Sequence, residues 1–310
     1  MKKYFFILLI GFSSIFAFSE ENFKSLDLVY IDAKNESFII GENIQSFATK
    51  RTLSSFKMNK YETTYDLWYS VRIKAEQNGY NFQNPGQEGA FGRRGKVPTE
   101  KGKNEPVTMV NWYDVIVWLN ALSEQEGKTP CYTYQGAILK DSSNTALCDL
   151  AKCDWSSDGF RLPTETEWEY AARKIDFGFQ RGDLASGQLS SDMAESDFAW
   201  GSDNTNKTMT VGTTGSVFEK GTAVLPGSGK SNFLGLFDMS GNVLEFCWDW
   251  FSEYVPQTSE REVGPVYGSQ RVSRGGSWSA YTGFLFTADR YSYDPNEFYN
   301  YMGFRIASSK

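Results

Sequence analysis

Gly159-Phe160-Arg161-Leu162-Pro163-Thr164-Glu165-Thr166-Glu167-Trp168-Glu169-Tyr170-Ala171-Ala172-Arg173 is the stretch from which the fold is read. Thr164 to Glu167 has the capping-box pattern: Glu167 reaches back to the free amide of Thr164, and a helix starts there. Trp168, Ala171 and Ala172 then face inward. Three acids in this stretch, Glu165, Glu167 and Glu169, raise the question of paired carboxylates for glycoside hydrolysis. A capping box and a solvated first turn account for them without it. Asp249, between Trp248 and Trp250, reads as a satisfied loop acid.

Two further helices precede this one. Thr63 or Thr64 can cap a helix carrying Leu67, Trp68, Val71 and Ala75 at helical spacing. Asn111 caps another that runs to about Glu126, with Trp112, Val115, Ile116, Leu119 and Leu122 on one apolar face. Residues 78–105 are polar and Gly-rich and read as a long surface loop. Leu28–Ile31 and Ser37–Gly41 read as a hairpin, and Phe56–Tyr61 as a strand. Beyond residue 176 no helix is predicted. Short strand-like runs occur at Leu234–Met239, Val243–Trp250, Val272–Trp278 and Phe304–Ala307. Helices in the first half and irregular β-structure in the second predict an α+β class with little regular secondary structure.

The 310 residues can bury a core without disulfides or metals. No stretch resembles a linker, so residues 20–310 are expected to form a single domain, acting as a monomer. The net charge of -7, with no Lys/Arg cluster, argues against nucleic acid as a partner. The absence of histidine excludes Ser-His-Asp and Cys-His hydrolysis, His-bound zinc and His-bound iron. At the N-terminus, Lys2 and Lys3 precede an apolar run from Tyr4 to Phe16, and Ala17 and Ser19 suit cleavage. Residues 1–19 therefore read as a signal peptide, too short in its apolar part to span a bilayer. Export follows, to the periplasm, the cell surface or the medium. No other segment could cross a membrane as an apolar helix. Of the four cysteines, Cys131, Cys148 and Cys153 could supply one bridge in an oxidising compartment. Cys247 lies in an apolar stretch and reads as a small buried hydrophobe.

Five segments in order resemble the formylglycine-generating-enzyme (sulfatase-modifying factor) family: Val110–Asp114, Gly159–Arg173, Gly235–Phe246, Arg274–Trp278 and Gly303–Arg305. The resemblance implies an elaborated C-type-lectin-like fold. The family's enzymes use a cysteine pair that binds copper(I), placed a few residues after the Gly-Gly-Ser-aromatic motif. Here those positions hold Ala280 and Leu285, neither a metal ligand, and no cysteine follows Cys247. The resemblance thus supplies a fold and withdraws the activity, leaving no required cofactor. It also implies a structural calcium site at Asp238, Gly241, Val243 and Glu245, a hard-oxygen set. The alternative is that Asp238 and Glu245 cap loops and pair with arginine.

Between residues 279 and 301, eight of twenty-three residues are aromatic and most others are Ser, Thr, Gly, Asn or Asp. That is the composition of a binding surface: rigid aromatic area beside adaptable hydrogen-bonding groups. The segment also resembles the variable region of retroelement-diversified proteins, the treponemal variable proteins among them, in which a lectin-type frame carries replaceable positions. Ala288, Arg290 and Pro295 would be frame. The resemblance and the composition together give Ser279, Tyr281, Thr282, Gly283, Phe284, Asp289, Tyr291, Ser292, Tyr293, Phe298, Tyr299 and Asn300 as ligand-binding candidates. The expected function is non-catalytic capture of a protein or other surface ligand. An oxidase of the formylglycine-generating class and a glycan-binding envelope protein are the alternatives.

Overall fold

A computed structural model describes residues 23–34, 36–44, 46, 48–216, 224–257 and 263–310. The signal sequence assigned to residues 1–19 lies outside these residues. The chain opens with four strands, β1 (Leu28–Ile31), β2 (Ser37–Ile40), β3 (Thr49–Thr52) and β4 (Phe56–Asn59); the helices α1 (Tyr65–Gln77), α2 (Trp112–Gln125), α3 (Thr145–Asp149) and α4 (Glu165–Arg173) follow, with strands of two or three residues between them. Beyond α4 the described chain contains short strands, two single 3-10 turns and loops. The class is α+β with little regular secondary structure.

The helix starts follow the sequence. The Thr64 hydroxyl accepts the amide of Leu67. Thr164 and Glu167 exchange bonds at 3.1 and 2.9 Å, closing the capping box at α4. Asn111 and Asp114 form a second such box at α2. The α1–α2 pair is locked by Trp68 stacked on Trp118, ring centres 5.4 Å apart. Phe304, from the Gly303–Arg305 motif, sets its edge against both rings. The C-terminal motif is thereby built into the helical half of the core.

Two four-stranded sheets organise the rest. One has the order β1, β4, Ala307–Ser308, Phe160–Arg161, and joins the two ends of the described chain. The other has the order Tyr291–Tyr293, Arg271–Arg274, Leu244–Trp250, Met302–Gly303. In it Glu245 lies opposite Arg274, and Arg271 opposite Tyr293.

Several sequence expectations are corrected. The hairpin of Leu28–Ile31 with Ser37–Gly41 does not form: β1 pairs with β4, and β2 with β3. Phe38 and Ile40 turn inward onto the α4 cluster, while β1 is needed beside β4 to complete the sheet holding Ala307–Ser308. Leu234–Met239 is not a strand. Gly235 and Asp238 have φ of 76° and 53°, a left-handed conformation that interrupts an extended run. The loop 78–105 is not purely a surface loop, because Tyr80, Gln87 and Ala90 are buried. It is drawn in where Gly86 (φ 75°) lies against Trp68, so closely that an added Cβ would come within 2.5 Å of the indole nitrogen. Glu165, Glu167 and Glu169 are not solvated; all three are buried, and each faces arginine.

Candidate functional site

The segment 279–301 is carried on a frame of buried charge. Arg274, at the end of its strand, is fully buried and pairs with Glu169 of α4. The same guanidinium donates to the carbonyls of Thr287 at 3.0 Å, Ala288 at 3.2 Å and Asp289 at 2.5 Å. Glu169 also pairs with Arg173. Arg290 grips Glu165 with two bonds of 2.6 and 2.7 Å. Two-pronged Arg–carboxylate pairs fix orientation as well as distance. Ala288 is buried, with its amide on the carbonyl of Gly182, and the Pro295 carbonyl accepts the amide of Trp112. The three positions read as frame are thus tied to the scaffold.

Between these anchors the candidate residues divide into groups. Ser279, Tyr281, Phe284 and Phe298 are exposed, the three aromatics at 57%, 64% and 36%. Gly283, Asp289, Tyr291, Ser292, Tyr293, Tyr299 and Asn300 are half-buried. Tyr291, Tyr293 and Tyr299, with Tyr301, rest one side on the main core, and Tyr299 stacks on Tyr301 at 4.9 Å. Thr282 is buried: its amide and hydroxyl donate to Asp203 at 2.9 and 2.6 Å, which pins the 3-10 turn Thr282–Phe284. Burial opposes ionisation of Asp203, but the two Thr282 bonds outweigh it and hold the carboxyl below its usual range.

Sequence reading did not find Asp203, nor Phe91 and Arg94. Phe91 is exposed and lies edge-on to Trp278 at 5.5 Å; Arg94 covers the ring of Phe298 at 5.2 Å. Asn300 reaches the Ala90 carbonyl. The loop 78–105 therefore borders the aromatic face. An aromatic, Phe91, set between Ala90 and Gly92 in a polar run was the available signal.

Ala280 and Leu285 are turned into a small apolar cluster with Ala185, Ala199 and Phe198; Leu285 is buried. Cys247 is buried, and burial followed by the charge of Asp249 raises its thiol well above the usual range. All four cysteines are free thiols.

The calcium set has its oxygens engaged. Glu245 accepts from Trp168 at 2.7 Å and from Arg305 at 2.6 and 2.5 Å. Asp238 accepts the Thr214 hydroxyl at 2.6 Å and the Gly212 amide. Glu62 lies close by, accepting from Asn242 and the Val243 amide. Burial first, then Asp238 and Glu245, raises Glu62 well above the usual carboxylate range. Arg305 balances Glu245, and calcium would have to displace it. Among the described residues no group of three or more acids, cysteines or histidines is placed to hold a metal ion.

Residues 28–310 match the model of the sulfatase-modifying factor enzyme 1-like domain. The chain belongs to that family. It is 29% identical to a solved structure of Treponema denticola variable protein 1, with a TM-score of 0.69, covering 91% of this chain and 95% of that one. It is 30% identical over 267 residues to the chaperone protein LppX of Paenibacillus barcinonensis, covering 84% of this chain and 82% of that protein. To the formylglycine-generating enzyme of Streptomyces coelicolor it is 34% identical over 169 residues, 48% of this chain and 47% of the enzyme. The fold is the C-type-lectin-like form of this family.

Proposed function

We propose that this family member is a non-catalytic, exported binding protein whose 279–301 segment, bordered by Phe91 and Arg94, captures the surface of another protein. One observation carries the reading: Tyr281 and Phe284 stand in solvent while the backbone from Thr282 to Arg290 is clamped by Arg274, Arg290 and Asp203. Exposed aromatics on an immobilised backbone make a pre-organised contact face, because little conformational entropy remains to be lost on binding. The likeness to a protein named as variable supports the further reading that these positions are diversified. Leu285 and Ala280 fill with carbon the places where the resemblance puts copper-binding thiols, which supports a binding role over oxidation.

Sequencing this locus across isolates tests the reading. Replacements are expected at Tyr281, Phe284, Ser292 and Phe298, with Leu285, Ala288, Arg290 and Arg274 unchanged. An invariant segment would remove the diversification, and saturable glycan-array binding lost with chelator would favour the glycan alternative. Incubation of purified protein with copper(I) and a sulfatase-motif peptide should yield no formylglycine; conversion at enzyme-like rates would restore the catalytic reading.

A further inference from the structure

Among the most deeply buried arginines, Arg161, Arg173, Arg274 and Arg305 each face a carboxylate. Arg271 does not. Among the described residues its guanidinium makes one hydrogen bond, Nη1 to the Trp248 carbonyl at 2.7 Å, and no carboxylate pairs with it. Its Nε is buried with no acceptor. The plane is instead intercalated between two indoles, 3.6 Å from the Trp112 ring centre and 3.4 Å from that of Trp250. Those rings are 6.5 Å apart and inclined by 24°. Two stacked rings recover part of the cost of burying the charge. They satisfy no N–H. Burial pulls Arg271 down to about 9, whereas Arg161, Arg274 and Arg305 move upward beside their carboxylates.

Arg271 lines a cleft of ≈ 280 Å³ with Asp149, Lys152, Cys153, Trp155 and Trp248. Trp155 stands edge-on to Trp248 at 6.2 Å and forms part of an aromatic wall. Asp149 accepts the Tyr113 hydroxyl, and Lys152 and Arg271 outweigh its charge. This cleft is distinct from the face formed by Tyr281, Phe284 and Phe298.

We infer that this tryptophan-walled cleft binds small carboxylate-bearing molecules with a flat apolar face, the carboxylate meeting Arg271 and the flat face lying against Trp155. A carboxylate accepting from this guanidinium forms a charge-assisted hydrogen bond, and the stacking holds the donor in one orientation. The flat body could belong to an aromatic acid or to a sugar acid; the carboxylate is common to both.

The test is tryptophan fluorescence titration of the full mature chain with benzoate and with glucuronate, each against its neutral counterpart, benzamide and glucose. Saturable quenching by at least one acid is expected, at least ~10-fold tighter than by its neutral partner, as a charge-assisted pair requires. Which acid binds identifies the body the cleft accepts. Arg271→Lys keeps charge but loses the planar fork and should abolish the preference for acid over amide. If that variant fails to fold, Trp155→Ala, which leaves Arg271 in place, should weaken the binding about 10-fold by removing one wall. Equal response to acid and neutral compound, no saturable response to either acid, or unchanged binding in Trp155→Ala would overturn the inference.

Discussion

The Arg274 guanidinium donates to the carbonyl oxygen of Thr287 at 3.0 Å, thirteen residues further along the chain. This bond, with those to Ala288 and Asp289, makes a buried side chain of the scaffold the splint for a loop whose outer side chains lie in solvent. The scaffold contributes rigidity, and the loop contributes the surface.

Replacing Arg274 with Met should therefore affect far more than one contact. Glu169 would keep Arg173 but lose its second cation, and three carbonyls would lose this donor. Breaking a buried pair from one side costs about 3–5 kcal/mol. Urea unfolding should show a loss of that order, with Arg274→Lys intermediate because a single ammonium cannot span Glu169 and three carbonyls. A loss below about 1 kcal/mol for Met would mean that the loop does not depend on this splint.

Leu285 and Phe284 are neighbours with opposite roles. Leu285→Ala opens a cavity against Ala185 and Ala199 and should cost about 2–5 kcal/mol. Phe284 is largely exposed, so Phe284→Ala should change stability by less than about 0.5 kcal/mol. Thermal melts of the two variants measure the contrast directly. Equal destabilisation would show Phe284 to be a packing residue and would weaken the case for a contact face.

The sequence shows clearly what is local. The capping box of Thr164 and Glu167 and the N-caps at Thr64 and Asn111 are set by residues three apart, and each helix begins where its cap predicts. Pairings across long separations left no local trace. β1 finds β4 rather than β2, because the sheet is completed by Ala307–Ser308 from the other end of the chain. Glu165 and Glu169 read as solvated because arginines 105 and 125 residues away are not visible from one helical turn. At the site, aromatic and hydroxyl composition located the face. Asp203, in an aperiodic loop 79 residues before its partner Thr282, could be found only in three dimensions.

Asp249 gives the stability a pH dependence of its own. It is buried, accepts the Glu165 amide at 2.8 Å, and is pushed up to about 8 by burial and then by the Glu165 charge. Its unfolded value lies near 3.8. With the folded value the higher, its contribution is complete below the unfolded value and is lost as pH rises through about 8. Asp249→Asn retains an oxygen for the Glu165 amide and removes this titration. The variant should gain stability relative to wild type between pH 5 and pH 9, values that bracket most of the interval. Unfolding free energies measured across that range should diverge with rising pH; parallel curves would exclude Asp249 as the cause.

Calcium removal should leave the protein unchanged. Glu245 is occupied by Arg305 and Trp168, and Asp238 by Thr214 and Gly212, so no carboxylate oxygen in that set lacks a donor. Ligands that bind only the folded state raise the melting point in proportion to the logarithm of their concentration. Melting in chelator and in millimolar calcium should coincide. A calcium-dependent rise that is absent in Glu245→Gln would show instead that Arg305 yields its place to the ion.

The anchor at Asp203 separates local order from global stability. Asp203→Ala would leave the amide and hydroxyl of buried Thr282 without their acceptor, a cost of about 1–3 kcal/mol. Most of that cost can be relieved by releasing the turn Thr282–Phe284, which swings Tyr281 and Phe284 free. Amide exchange at Thr282 and Leu285 should therefore accelerate more than exchange in α2, and the mobile aromatics should bind their partner more weakly than the clamped ones. Acid should reproduce the release. The folded pKa of Asp203 is depressed, so its contribution is present above the unfolded value near 3.8 and lost as pH falls through the folded one. Thr282→Ala should weaken the same acid response, because it removes the hydroxyl donor and leaves only the amide bond of residue 282 to favour the ionised carboxylate. If exchange in the turn is unaltered by Asp203→Ala, the aromatic face is held by Arg274 and Arg290 without Asp203.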